Sequence, residues 1–199
     1  MSIKNKLLLT STVLLMGTGV ALGGHNIVHA DTNNNVQINA SEYTQNAQSL
    51  QKIFNDHNKN YTLSRIIVEN NQDHKQDPIY KLIGFDNKND KVAKLKISAT
   101  NTNDVIKNKI KKVNKHHLKK ITTLDINSIK QDPIAAINAA KKFANTNTNP
   151  SEWKLITTKK DKKQITYYLV KFINKNKQTI VKVNAQDCSK ISVKTGNTD

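Results

Sequence analysis

Tyr80-Lys81-Leu82-Ile83-Gly84-Phe85 is answered 87 residues further on by Tyr167-Tyr168-Leu169-Val170-Lys171-Phe172. The match extends outward from this stretch. With the same offset, Leu50 falls on Ile137, Ile53 on Ala140 and Ile66 on Trp153, while Asn87-Lys88-Asn89 falls on Asn174-Lys175-Asn176. After one residue is dropped, Leu95-Lys96-Ile97-Ser98-Ala99 matches Val181-Lys182-Val183-Asn184-Ala185. Self-similarity at a fixed offset is the sequence mark of a repeated structural unit.

The elements of each unit follow from periodicity. Asn39 can cap a helix, with Glu42 returning the bond, and Tyr43, Ala47, Leu50 and Ile53/Phe54 then fall on one helical face. Strand patterns follow over 61–69, 79–85 and 92–99; in the last, Ala93, Leu95, Ile97 and Ala99 alternate with Lys94, Lys96 and Ser98. In the second half Asp132 can cap a helix with Pro133 in its first turn, and Ile134, Ile137, Ala140 and Phe143/Ala144 form the apolar stripe. Strand patterns recur over 153–158, 164–173 and 179–185. The expected fold is α+β: two repeated modules, residues 39–106 and 132–199, each with one helix on a three- to four-stranded antiparallel sheet. A module of this size is marginal alone, so the two are expected to pack together or share an edge.

Between them, residues 107–131 form a basic connector. Lys107, Lys109, Lys111, Lys112, Lys115, Lys119 and Lys120 fall within 14 residues, and no acid occurs between Asp104 and Asp125. Ile106, Ile110, Val113 and Ile121 suit a helical face, while Ile106, Asn108 and Ile110 alternate as in a strand. Both readings stay open.

The 199 residues hold 32 Lys+Arg against 15 Asp+Glu, a formal charge of +17. Arg65 is the only arginine, and 27 residues are asparagine. Lysine without arginine argues for diffuse attraction to anions rather than bidentate recognition. Residues 1–30 read as a secretory signal peptide: Lys4 and Lys6 precede the apolar run from Leu7, and Val28-His29-Ala30 suits a cleavage site. A polar leader follows over residues 31–38. The remaining chain carries +15. No second apolar run is long enough to span a membrane. The chain is expected to be secreted or loosely wall-associated in a Gram-positive type of envelope. Cys188, the single cysteine, cannot form an internal disulfide and reads as buried or inert rather than reactive.

The second half, through Asp132-Pro133-Ile134-Ala135-Ala136-Ile137-Asn138-Ala139-Ala140, Tyr167 to Phe172 and Val181-Lys182-Val183-Asn184-Ala185-Gln186-Asp187, resembles the PepSY domain family. The first half resembles it through Tyr80 to Phe85 and Leu95 to Ala99. Asn184 stands where that pattern commonly has Asp, and Asp187-Cys188-Ser189 where it has a Thr-Gly turn. The resemblance implies a cystatin-like helix-on-sheet fold and a non-catalytic role, restraining proteases or binding partners at the cell envelope.

Most catalytic signatures are missing. There is no His-Glu-x-x-His and no Gly-x-Ser-x-Gly, and beyond residue 30 the only glycines are Gly84 and Gly196, too few for a phosphate cradle. Adjacent His116 and His117 cannot both face one metal from a regular helix or strand. No cofactor, metal or catalytic residue is therefore expected, and the chain reads as a non-enzyme. Trp153, Tyr167 and Tyr168 are either an exposed partner-binding face or core, with core the expectation for most of them. Nucleic acid is not an expected partner, because no aromatic residue interrupts the lysine run to stack on bases. Two functions remain: an envelope protein that binds a protein partner, such as a protease it restrains, or a basic wall protein held electrostatically on anionic polymers through the connector lysines, in a structural or adhesive role.

Overall fold

In the computed structural model, residues 38–70, 77–160 and 163–198 are described. The signal peptide expected over 1–30 and, apart from Ile38, the leader expected over 31–38 lie outside these residues. Among the described residues there are eight strands: β1 (Thr62–Asn70), β2 (Pro78–Asp86), β3 (Lys91–Ser98), β4 (Val105–Lys112), β5 (Pro150–Lys160), β6 (Lys163–Asn174), β7 (Lys177–Asn184) and β8 (Lys190–Asn197). Three α-helices accompany them: α1 (Ala47–His57), the short α2 (Lys115–Leu118) and α3 (Pro133–Ala144).

All eight strands belong to one antiparallel sheet in the order β4-β3-β2-β1-β5-β6-β7-β8. This overturns the expected fold of two repeated helix-on-sheet modules. The physical reason is the pairing of β1 with β5, where Arg65, Ile66, Ile67 and Val68 face Ile156, Leu155, Lys154 and Trp153. That ladder satisfies the backbone groups that two separate sheets would each leave open at an edge. The hydrophobic interior is likewise single. Leu50, Phe54, Leu63, Ile66, Tyr80 and Leu95 join Ile137, Ala140, Trp153, Tyr168, Val170 and Val181 in one buried cluster.

Both long helices lie on one face of the sheet. Leu50 and Phe54 of α1 are fully buried against it, and a Cβ at Gly84 would stand 2.7 Å from the Thr62 carbonyl oxygen and inside the Phe54 ring. Only glycine lets that ring lie against β2. Ala136, Ile137 and Ala140 of α3 cover β6 and β7. Asp132 caps α3 as its sequence suggests, its carboxylate accepting from the Ala135 amide at 2.7 Å, and Asn145 ends it in the left-handed conformation at φ 49°.

The start of the first helix differs from the sequence reading. Asn39 does bond Glu42, its Nδ2 donating to Oε1 at 2.9 Å, but this box closes only a 3₁₀ turn over Ala40–Glu42. The α-helix begins later, with Asn46 accepting from the Ser49 amide at 2.8 Å. The connector's open reading resolves into a strand, β4, followed by the single turn α2. The chain then returns beneath β5 and β6 through a hydroxyl network. The Asp125 amide donates to Thr157 Oγ1 at 2.9 Å, Thr157 and Thr166 share a bond of 2.8 Å, and Ser128 Oγ donates to Thr166 Oγ1 at 2.7 Å.

Candidate anion-binding face

Side chains of successive strand residues point to opposite faces, so burying Ala93, Leu95 and Ile97 under the helices turns Lys94 and Lys96 to the other face. Register then decides which lysines meet. Lys96 faces Lys107 on β4 and Lys81 on β2; Lys94 faces Lys109; Val92 faces Lys111. Beyond Lys81 the row continues through Ile67 to Lys154, then through Leu169 to Lys182. Lys171 faces Ile180, which faces Lys194. Arg65 sits in the middle, between Ile83 and Ile156, with its Nε buried and without a hydrogen-bond partner.

Among the described strand residues, alternation places only two acids on this face. Glu69 pairs with Lys81, and Glu152 with Lys154 at 3.0 Å. The floor between the lysines is apolar: Ile67, Phe85 and Tyr167 are each less than a tenth exposed. The Lys182 ammonium lies 5.1 Å from the Tyr167 ring centroid. Lysine stems can rest on such a floor while their charges stay in water. Crowding has an electrostatic consequence. Partial burial, and then repulsion from Lys81, Lys96 and Lys111, push the Lys94 ammonium below the ordinary lysine value.

The structure divides the connector lysines. Lys107, Lys109 and Lys111 project onto this face beside Lys94 and Lys96, whereas Lys112 alternates to the helix-covered side. Lys115, Lys119 and Lys120 lie at and just after α2, all exposed. Of the three aromatic candidates, Trp153 and Tyr168 are brought together, but in the interior, and Tyr167 is apart from them. Trp153 and Tyr168 are 1% exposed and belong to the core, so they present no partner-binding surface. The Trp153 Nε1 donates to the Tyr43 carbonyl at 3.0 Å, and the Tyr168 hydroxyl to the Gln131 carbonyl at 2.9 Å. Tyr167 alone lies on the opposite, lysine-bearing face.

Sequence reasoning missed Arg65, Lys81, Lys154, Lys171 and Lys194 as members of this surface. The alternation around all but Lys194 was visible, but the cross-strand partners that gather them were not. Cys188 sits in the β7–β8 turn at φ 58°, and burial, followed by Asp132 and Asp187, pushes its thiol up, the opposite of nucleophile activation. A shallow polar hollow lined by Gln51, Asn55, Asp56, Lys59, Tyr61 and Thr62 holds no nucleophile with a base beside it. Among the described residues no group of three or more His, Cys, Asp or Glu gathers to hold a metal, and no helix is long and apolar enough to cross a membrane.

No protein-family model matches the chain, and no curated protein matches it. Among solved structures, it is similar to a candidate lipoprotein from Clostridium difficile 630, seen in a crystal structure at 1.85 Å resolution. The two are 23% identical with a TM-score of 0.63, over 79% of this chain and 99% of that one, which shows a shared fold.

Proposed function

We propose that this protein is a non-enzymatic component of the cell envelope, held electrostatically on an anionic polymer through the face of its sheet opposite α1 and α3. The observation that carries this reading is the face itself. Lys81, Lys94, Lys96, Lys107, Lys109, Lys111, Lys154, Lys171, Lys182 and Lys194 share it with Arg65, against Glu69 and Glu152 as the acids among the described strand residues. A surface of one sign attracts polyanions from a distance, and lysine point charges suit a flexible chain of separated anions better than a planar carboxylate. The export signal read at residues 1–30 supports an extracellular setting, and the lipoprotein description of the structural neighbour is compatible with it.

The test is retention on isolated cell walls as salt rises. Binding at low ionic strength with release in moderate salt is expected, because exposed charge attraction is screened over about 10 Å at 0.1 M. Retention in high salt, or no binding at low salt, would refute the proposal.

A further inference from the structure

The lysines at the β4 end of this face form a lattice rather than a cloud. Along β4, Lys107, Lys109 and Lys111 occupy alternate positions, and along β3 Lys94 and Lys96 do the same, directly opposite. Alternate residues of an antiparallel strand are about 6.8 Å apart, and neighbouring strands about 4.8 Å. The lattice therefore presents two parallel rails of charge with a repeat of about 6.8 Å. Being an edge strand, β4 also leaves its rail open to approach from the side.

A covalent chain advances about 1.2 Å per bond when extended. A polyol phosphate chain carries one negative charge every six backbone bonds or so, hence about 7 Å apart. A carboxylated glycan with one charge per disaccharide spaces its charges wider. Single-stranded nucleic acid has a similar phosphate repeat but gains much of its affinity by stacking bases on exposed aromatic rings. The aromatic residues that alternation places on this face, Phe85 and Tyr167, are buried in its floor.

Resting on the polyanion reading above, we propose that an extended polyol phosphate polymer runs along the β4 edge, its successive phosphates meeting Lys107, Lys109 and Lys111 with Lys94 and Lys96 as the second rail. The polymer lies parallel to the strands there, and the lysines of β5–β8 add only general attraction.

The experiment compares two triple variants that remove equal charge from the same connector: K107Q/K109Q/K111Q and K115Q/K119Q/K120Q. Binding of a poly(glycerol phosphate) of defined length is measured across a salt series, with hyaluronate and oligothymidylate matched in total charge as the other probes. The β4 variant is expected to lose about tenfold or more in affinity and to lower the salt slope by two to three, while the α2 variant changes affinity less than about threefold. Far-ultraviolet circular dichroism of both variants checks that they are folded. The wild-type protein is expected to prefer poly(glycerol phosphate) to both other probes. Equal losses in the two variants, or equal or tighter binding of hyaluronate or oligothymidylate, overturns the placement and leaves the polyanion reading standing. Failure of the wild-type protein to bind any probe at low salt overturns both.

Discussion

Tyr80 and Trp153 meet edge to face in the middle of the sheet, their ring centroids 6.5 Å apart at 68°. One comes from β2 and the other from β5, so the contact spans the β1–β5 seam. Trp153 meets Tyr168 on its other side at 6.0 Å and 66°. These three rings make the seam part of the interior rather than a boundary within it.

Truncating Trp153 should therefore destabilise the whole molecule. W153A is expected to cost about 3–5 kcal/mol through lost burial and a residual cavity. W153F keeps an aromatic ring but loses the rest of the indole and leaves the Tyr43 carbonyl without its donor, at about 1–3 kcal/mol for the lost bond plus a smaller cavity cost than W153A. Urea denaturation followed by circular dichroism checks both values. A single cooperative transition is expected throughout; two separate transitions would contradict the single core.

The hydroxyl network under β5 and β6 should respond to one methyl group. T166V is nearly isosteric but removes the shared partner of Thr157 and Ser128, with an expected loss of about 1–3 kcal/mol. T166S keeps the hydroxyl and should lose less. Thermal denaturation of the two variants side by side is the measurement.

Alkaline pH should weaken the fold through its buried phenols. Burial pushes Tyr80 and Tyr168 above the ordinary tyrosine value of 10.0. A phenol with a raised folded value contributes stability that is fully present below its unfolded value and is lost as pH rises through the folded one. Tm should thus show no loss from these phenols up to about pH 10 and decline above it. Y168F should show a shallower decline, measured by circular dichroism melts over that range.

Like charges held side by side should make the folded protein more stable when one is removed. K94Q is expected to gain a few tenths of a kcal/mol at low salt, since Lys94 faces Lys109 directly. The gain should shrink as salt rises. Chemical denaturation in urea at two ionic strengths checks it, and an equal gain at both would point away from electrostatics.

Lys175 holds φ at 53° in the β6–β7 turn, where a lysine Cβ is disfavoured. K175N should stabilise by about 0.5–1 kcal/mol, because asparagine tolerates this conformation. A raised urea midpoint with an unchanged slope is the expected result.

Much of the secondary structure was written in local patterns. Six strands and α3 follow from alternation, from Asp132 and from Pro133. The β4 strand was ambiguous because Ile106 and Ile110 suit either period, and tertiary pairing with β3 decides it. The β8 strand went unread because Lys190 to Asn197 is mostly exposed and carries little apolar alternation. The single sheet was hidden because nothing near Val68 announces Trp153 as its neighbour. The lysine face was half legible. Lys94, Lys96 and Lys182 stood out as outward residues, and Lys107 to Lys111 as a run. Their assembly into rows needs the register of several strands at once, which no local window contains. The aromatic trio illustrates the converse: Tyr167 and Tyr168 are adjacent in sequence yet lie on opposite faces, and adjacency on a strand means separation.

The four-pair seam between β1 and β5 also has a meaning in time. Every other ladder of the sheet joins strands that follow one another in the chain, and can close through a short connection. The seam joins distant segments, and the Trp153 bond to Tyr43 beside it closes a separation of 110 residues. Loop-closure entropy makes such encounters the slow ones. The hairpins on either side can therefore zip early, and the molecule becomes native at the moment its narrowest ladder forms. Until then, β1 and β5 remain the two unguarded strands of a chain whose outer strand β4 is protected by its own lysines.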